Sequence, residues 1–411
     1  MNRRAFLRGT GTLTLLAVGG GVFYARERGA FRVGEGPAYA PWHDWDTDAV
    51  AGPLAVVRAG ILAASPHNTQ PWLFEVGAAH IKLYADPGRA LGALDPYARE
   101  QYLGLGCALE NMVLAGRAHG YTCQITPVLG VLTSTPTGAA GPVLVATLHL
   151  ELGPAAAPPS ALYAAIPHRH THRGPYDPAR PVHDATLQQL RALAAQDLGP
   201  AHLHLLTAAP DQAAFAIHTL AATRAIVADA AMSAAGHRWF RLTTQASEQY
   251  CDGVTLEGVG LSPLTLCLAK LLPGVSAAES DAIWLRNTAE QQLPTAAVFG
   301  LLTVPDRHDR AQALAAGRLW QRLHLQATAL GLAAQPLNQL VETADREAQL
   351  GRPPQAANQL AQLLPPGAGQ ATFSFRLGYA ARPAAAVPRR PLAQVLLKQG
   401  TRPPEPGVSD V

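Results

Sequence analysis

The chain has 411 residues, 48% hydrophobic and 15% charged, which excludes a disordered or fibrous protein and leaves room for about two or three domains. Its net charge of +3 resides at the N-terminus, where residues 1–30 hold Arg3, Arg4, Arg8, Arg26 and Arg28 against Glu27, a net +4. The body is therefore near neutral, which gives no electrostatic ground for nucleic acid or acidic lipid as partner.

Asn2-Arg3-Arg4-Ala5-Phe6-Leu7-Arg8-Gly9 precedes an apolar, glycine-spaced run from Thr10 to Ala25. Paired arginines, then Phe-Leu, then a weakly hydrophobic stretch read as a twin-arginine export signal over residues 1–30. The alternative is an ordinary amphipathic helix start. Such a signal places the protein in the periplasm or on the outer face of the cytoplasmic membrane. The run of roughly 15 residues is short of the roughly 20 that span a bilayer. Phe23-Tyr24-Ala25 is not a small-x-small cleavage triplet, so retention as a membrane tether stays open.

Residues 31–52 read as an extended lead-in. Leu54, Val57, Ile61 and Leu62 give residues 53–64 a helix with one apolar face and proline in its first turn. Trp72–Val76 and Ile81–Ala85 read as paired strands, and Glu100–Gly120 as a long helix whose Gly104 and Gly106 permit close helix contact. Val143–Leu150 is a strand, and Pro154–Pro159 a linker after which the chain starts afresh. Leu187–Ala195, Asp211–Ala231 and Arg310–Leu330 read as helices. Trp239–Pro273, with Gly253, Gly258 and Gly260, reads as an irregular loop or lid. Thr372–Tyr379 alternates as a half-buried strand, and residues 401–411 form a tail. The element pattern gives an α+β layered protein built from two halves. Cys107, Cys123, Cys251 and Cys267 contain no Cys-x-x-Cys pair, which argues against a zinc or iron–sulfur site. They read as isolated buried thiols, or as one or two disulfides in an exported protein.

Four segments carry chemistry. Ser65-Pro66-His67-Asn68-Thr69-Gln70-Pro71-Trp72 sets two amides and an imidazole between prolines, suited to a heterocycle edge that alternates C=O and N–H. An Asx-type turn closing a helix is the plainer reading. In His168-Arg169-His170-Thr171-His172-Arg173, two arginines four apart can converge on one phosphate from a helical turn. There His168 and His172 would share a face as metal ligands, although no carboxylate or cysteine stands near to complete the set. A solvated basic loop is the remaining alternative. Pro336-Leu337-Asn338-Gln339 follows the helix ending at Leu330, and Arg389-Arg390-Pro391-Leu392 closes the chain's ordered pattern.

Together, in this order, the four segments resemble the nitroreductase family of FMN-binding proteins. Because the Asn-x-Gln-Pro-Trp turn precedes the Arg-x-Thr-x-Arg motif here, the chain is most similar to the Acg-like branch, in which one chain mimics the two-subunit dimer. The resemblance covers roughly residues 50–400, with the 200–300 stretch unmatched. It implies a nitroreductase-like α/β/α sandwich of two fused halves, residues 31–155 and 160–400, the second carrying the possible lid at 239–273.

It further implies that Arg169, His170, Thr171 and Arg173, with Arg389 and Arg390, hold the FMN phosphate. Pro66, His67, Asn68 and Gln70 would border the flavin's pyrimidine edge and ribityl chain. Pro336, Leu337, Asn338 and Gln339 would lie over the ring and present a backbone N–H to N5. The family usually has an acidic residue then glycine where Asn338-Gln339 stands, so the backbone role carries over and the side-chain role does not. No catalytic acid or base is demanded. The implied activity is hydride or electron transfer to a small planar acceptor, a nitroaromatic or quinone, in ping-pong order. The donor would be NAD(P)H, a quinol or a partner protein. An FMN-storing protein with little turnover is the alternative, and a histidine metal site at His168, His170 and His172 the third reading.

Overall fold

The computed structural model describes residues 25–26, 28–46, 52–134, 141–153, 159–196, 199–272 and 274–397. The paired arginines and apolar run up to residue 24, the centre of the 154–159 linker and the 401–411 tail lie outside the described residues.

The first half runs helix α1 (Pro53–Gly60), strands β1 (Trp72–Val76) and β2 (His80–Ala85), helix α2 (Arg99–Ala118), then β3 (Tyr121–Pro127) and β4 (Val143–Leu152). Its four strands form an antiparallel sheet in the order β1-β2-β4-β3. The second half repeats the plan with α3 (Asp184–Ala194) and β5 (His202–Leu206), after which residues 207–297 are interposed. That insertion contains α4 (Ala209–Ala228), α5 (Ala230–His237), β6 (Phe240–Arg241), α6 (Thr244–Tyr250), β7 (Val254–Thr255), α7 (Pro263–Leu271) and α8 (Ala277–Asn287). The plan resumes with β8 (Val298–Val304), α9 (Arg310–Ala329) and β9 (Ala333–Pro336). It closes with α10 (Gln339–Gln349), α11 (Gln355–Gln362) and β10 (Gln370–Gly378). The second sheet is also antiparallel, in the order β5-β8-β10-β9. Strand for strand, this is the order of the first sheet.

The halves meet through α2 and α9. A Cβ on Gly106 would collide with the Leu314 carbonyl, and one on Gly317 with the Leu103 carbonyl. Each glycine therefore sits three residues after the carbonyl that faces its opposite number. Such a reciprocal contact is what a two-fold axis between two copies produces, here reproduced within one chain. Polar groups line the same seam. Gln321 donates to Asn111 Oδ1 at 2.8 Å, Asn111 donates to the Ala59 carbonyl at 2.8 Å, and Glu110 pairs with Arg318 (2.9 Å) and Arg322 (2.6 Å). Each half then lends an arm to the other. The C-terminal arm bridges Leu396 to Phe74 on the edge strand β1, and the segment after residue 165 lays His172 N–H on the Ala334 carbonyl of edge strand β9 (3.1 Å). One edge strand of each sheet is thereby covered.

Three expectations change. The helix expected over 211–231 breaks at Asp229, whose extended backbone (φ −86°, ψ 101°) turns the chain through 88° between α4 and α5. Its carboxylate caps the N–H groups of Ala231 and Met232 (3.0 and 3.2 Å). The 239–273 stretch is not irregular: it holds α6, α7 and the two-stranded parallel pair β6–β7. Strand β10 is buried on both faces rather than half-buried. Phe373 and Phe375 pack on Trp320 of α9, while Ser374 and Arg376 are held by polar groups on the opposite face.

Candidate functional site

Between α1 and β1, His67 (φ 46°), Asn68 (φ 55°) and Gln70 (φ 50°) all adopt left-handed backbone. Each costs of order 1–2 kcal/mol for a side-chain-bearing residue, so the turn persists only because its surroundings fix it. The Gln70 N–H donates to Ser65 Oγ at 3.0 Å, and Pro66 packs where Gly104 of α2 lacks a side chain. Asn68 donates to the carbonyls of Gly253 (3.2 Å) and Pro388 (3.0 Å) and accepts from Arg389 Nη1 (2.6 Å). Gln70 donates to the Cys251 carbonyl (2.8 Å) and accepts from the Arg390 N–H (2.8 Å). The two amides therefore clamp the insertion and the C-terminal arm onto the turn. Pro66 and His67 are only half-buried.

Arg169 and Arg389 are each 2% exposed, and no ion pair among the described residues involves either. Arg169 reaches only the Leu62 carbonyl (3.1 Å) and His324 Nδ1 (3.4 Å), and Arg389 reaches Asn68 while its guanidinium lies 4.7 Å from the Trp42 ring centre. The Nε atoms of Arg169, Arg389 and Arg390, His170 Nδ1 and His324 Nε2 are buried without partners. Burial pushes Arg169 down to about 10, and burial with repulsion from Arg169 holds Arg389 well below its ordinary range. Burial, Arg169 and Arg389 together push His170 down to about 3. This is a knot of cationic donors enclosed without an anion, and enclosed cations call for one. Arg390 instead ties the carbonyls of Gln70 (3.1 Å) and Gln394 (2.7 Å).

The 169–173 segment is not a helical turn. A short 3-10 turn ends at His168, Arg169 is extended (φ −76°, ψ 103°), and His172 lies against Ala334. Arg169 and Arg173 therefore do not converge from one turn, nor do His168 and His172 share a helical face. No group of three metal-ligating side chains occurs among the described residues. Arg173 donates to the Gly258 carbonyl (3.0 Å) and is pushed down to about 10 by burial. His67 is pushed down to about 4 by burial, Arg173 and His237. Thr171 is half-buried.

Pro336 ends β9 opposite Phe375, and the Leu337 N–H donates to the Ser374 carbonyl (2.9 Å). Asn338 accepts from the Ser374 N–H (3.0 Å) and donates to the Glu100 carboxylate, and Gln339 opens α10 with its buried Oε1 unpartnered. Glu100 lies one turn of α2 before Gly104, so one helix face aligns the 336–339 segment with the 65–71 turn. Sequence reasoning missed the acids here. Burial, against the pull of Arg99, lifts Glu100 to about 7, and burial with Glu100 holds Glu342 well above the carboxylate range. Asp345 is pinned by Arg99 at 2.6 Å. The available signal was the charged pair Arg99-Glu100 opening α2 ahead of its apolar stretch Leu103–Leu109, and the i, i+3 pair Glu342 and Asp345.

No protein-family profile matches the chain. It is 28% identical over 370 residues, 88% of this chain and 95% of the relative, to a Mycobacterium tuberculosis protein described as "Putative NAD(P)H nitroreductase", found in two strains. Among solved structures it aligns with an FMN- and NADPH-dependent nitroreductase from Sphigopyxis sp. strain HMH at 19% identity and TM-score 0.37, covering 59% of this chain and 99% of that one. An FMN-dependent nitroreductase from Mycobacterium smegmatis, in complex with NADPH, aligns at 18% identity and TM-score 0.33, over 57% and 96%.

Proposed function

We propose that this chain is an FMN-dependent oxidoreductase of nitroreductase type, a fused pseudo-dimer with one flavin site where its halves meet. The observation that carries the reading is the enclosed cation knot of Arg169 and Arg389, with orphaned donors on both and on His170 and His324. A phosphate dianion is the group whose oxygens suit such a set. The likeness over most of both chains to nitroreductase-named relatives points the same way.

Arg169 and Arg389, with His170 and Thr171 beside them, would hold the phosphate. Arg173, His67 and Pro66 would border the ribityl chain and ring edge, with Asn68 and Gln70 keeping the strained turn in place behind them. The 336–339 segment would present the N–H groups that open α10, held by Asn338 between Ser374 and Glu100. Bound FMN supplies hydride transfer at its N5, and the chain supplies orientation and electrostatics. Ping-pong order with a small planar acceptor, a nitroaromatic or quinone, needs one open face that donor and acceptor use in turn. With residues 1–30 acting as a twin-arginine export signal, the protein would cross the membrane folded, with flavin installed. Its electrons would then come from NAD(P)H, a quinol or a protein.

A second reading, flavin storage, is favoured by the cover: Cys251, Gly253 and Gly258 of the insertion are hydrogen-bonded to Gln70, Asn68 and Arg173. An absorption spectrum of the purified chain, then anaerobic titration with dithionite and NADPH, tests both. Flavin that NADPH reduces and a nitroaromatic reoxidises supports the enzyme. Flavin bleached by dithionite and by neither NADPH nor a quinol supports storage. Failure to take up FMN at all sinks the site.

A further inference from the structure

We propose that the outer face of α7 is a lipid-bilayer contact surface. Leu264, Leu268 and Leu272 fall at i, i+4 and i+8 and are 71%, 50% and 62% exposed, with Val275 beyond them at 46%. The opposite face is fastened. Leu266 is buried, and Lys270 Nζ pairs with Glu257 (2.6 Å) and donates to the carbonyls of Gly29 (3.0 Å) and Arg32 (2.6 Å). The 29–33 segment held in this way exposes Phe31 (65%) and Val33 (45%). Six of the thirteen exposed large apolar side chains among the described residues thus belong to two segments joined by one lysine. Apolar residues on an ordinary water-facing surface are scattered singly, whereas a concentration marks a contact.

The occupant is argued from where the chain leads. In sequence, the apolar run Thr10–Ala25 leads directly into the 29–33 segment, through the exposed cations Arg26 and Arg28, with Arg32 beyond. No single described helix is long and apolar enough to cross a membrane, and the run itself is short of a span, so bilayer attachment through the N-terminus is steadied by a second, interfacial contact. An amphipathic helix with leucines outward and cations at the flank is the form such a contact takes. The face is also mechanically close to the cover: Glu257, the partner of Lys270, adjoins Gly258, whose carbonyl receives Arg173. The surface stands on these residues alone. Its consequence, access of a lipid-soluble reductant to the site, rests on the flavin reading.

The test is hydrogen exchange of residues 263–272 in the full chain, with and without vesicles of phosphatidylethanolamine and phosphatidylglycerol, alongside flotation. Vesicles are expected to slow exchange in α7. The triple variant Leu264→Glu/Leu268→Glu/Leu272→Glu is expected to abolish that slowing and weaken partitioning at least tenfold, with far-UV dichroism unchanged. Unaltered exchange in α7 of vesicle-bound protein overturns the proposal, as does exchange already slow without vesicles. In the latter case concentration dependence would assign the cover to a second copy, and its absence to residues 10–24. A chain that takes up no FMN yet shows vesicle protection would refute the flavin reading and leave this surface intact.

Discussion

Replacing Arg169 by methionine separates an arginine kept for a ligand from one kept for the fold. Burial lowers Arg169 to about 10, well below the ordinary guanidinium range. For a base pushed down, the charged form is penalised in the folded state, so the cost is present at every pH below about 10 and is relieved as pH rises toward the ordinary guanidinium range. At 1.36 kcal/mol per unit, that penalty is about 3 kcal/mol. Methionine removes it but leaves the Leu62 carbonyl without its donor, which costs roughly 1–3 kcal/mol. The two nearly cancel, so flavin-free Arg169→Met should differ from the parent by less than about 2 kcal/mol. Arg99→Met is the contrast. It strips Asp345, fully buried, of its 2.6 Å partner and should cost about 3–5 kcal/mol. Binding should reverse the ranking: loss of a charge-assisted contact to phosphate, roughly 1.5–3 kcal/mol, weakens FMN by about 10- to 150-fold in Arg169→Met. Urea denaturation of flavin-stripped protein and FMN titration by fluorescence measure both quantities. Arg169→Met that unfolds as readily as Arg99→Met while holding FMN undiminished would refute the assignment.

Two titrations should carry opposite signs. His170 is pushed from 6.5 to about 3, so the unfolded chain takes up its proton first and stability falls as pH drops below 6.5; at pH 4.5 the loss is about 2–3 kcal/mol, and His170→Gln should flatten that limb of the acid-denaturation curve. Glu100 is lifted from 4.5 to about 7, so its contribution is lost as pH rises through that window. Glu100→Gln should therefore raise the melting temperature more at pH 8 than at pH 5, and an equal rise at both would contradict the account. Gly106→Ala and Gly317→Ala, which elsewhere in a helix would gain about 1 kcal/mol, should each destabilise by more than about 2 kcal/mol, because the new methyl meets backbone of the partner helix; calorimetry of both variants checks it.

What could be read in the sequence was local. The apolar spacing of Leu319 and Leu323 fixes α9 within a residue or two, and the prolines around His67 to Gln70 mark a turn before any partner is known. The glycines of α2 announce a close helix contact, but only the structure supplies its reciprocal, Gly317. The kink at Asp229 escaped because its cause is distant: Arg346 of α10 grips the Asp229 carboxylate at 2.9 Å. The same holds for the amides of Asn68 and Gln70. They read as groups for a ligand edge, yet they bind main chain at 251–253 and 388, more than 180 residues away. The acids around Glu100 left only a local charge pattern in the sequence, since burial of a charge depends on what packs above it.

The repeated plan makes the asymmetry between the halves informative. In the second half, the place of the 65–71 turn is taken by residues 195–201, Ala-Gln-Asp-Leu-Gly-Pro-Ala, which lack the paired amides and the imidazole. The arm after β10 brings Arg389 and Arg390, whereas its counterpart after β4, residues 153–167, contains no arginine or lysine. The lead-in before α3 supplies Arg169 and Arg173, whereas residues 33–52 before α1 contain no arginine or lysine. There Asp46 accepts from Tyr163 (3.1 Å), and Trp45 packs on the same ring. The lead-in before α1 instead packs on the first site, where Trp42 lies against Arg389 and His170. On the flavin reading, the pseudo-dimer would hold one flavin per chain. FMN titration against protein of known concentration should saturate at a ratio of one. A ratio of two would mean that the arginine knot is not required for binding.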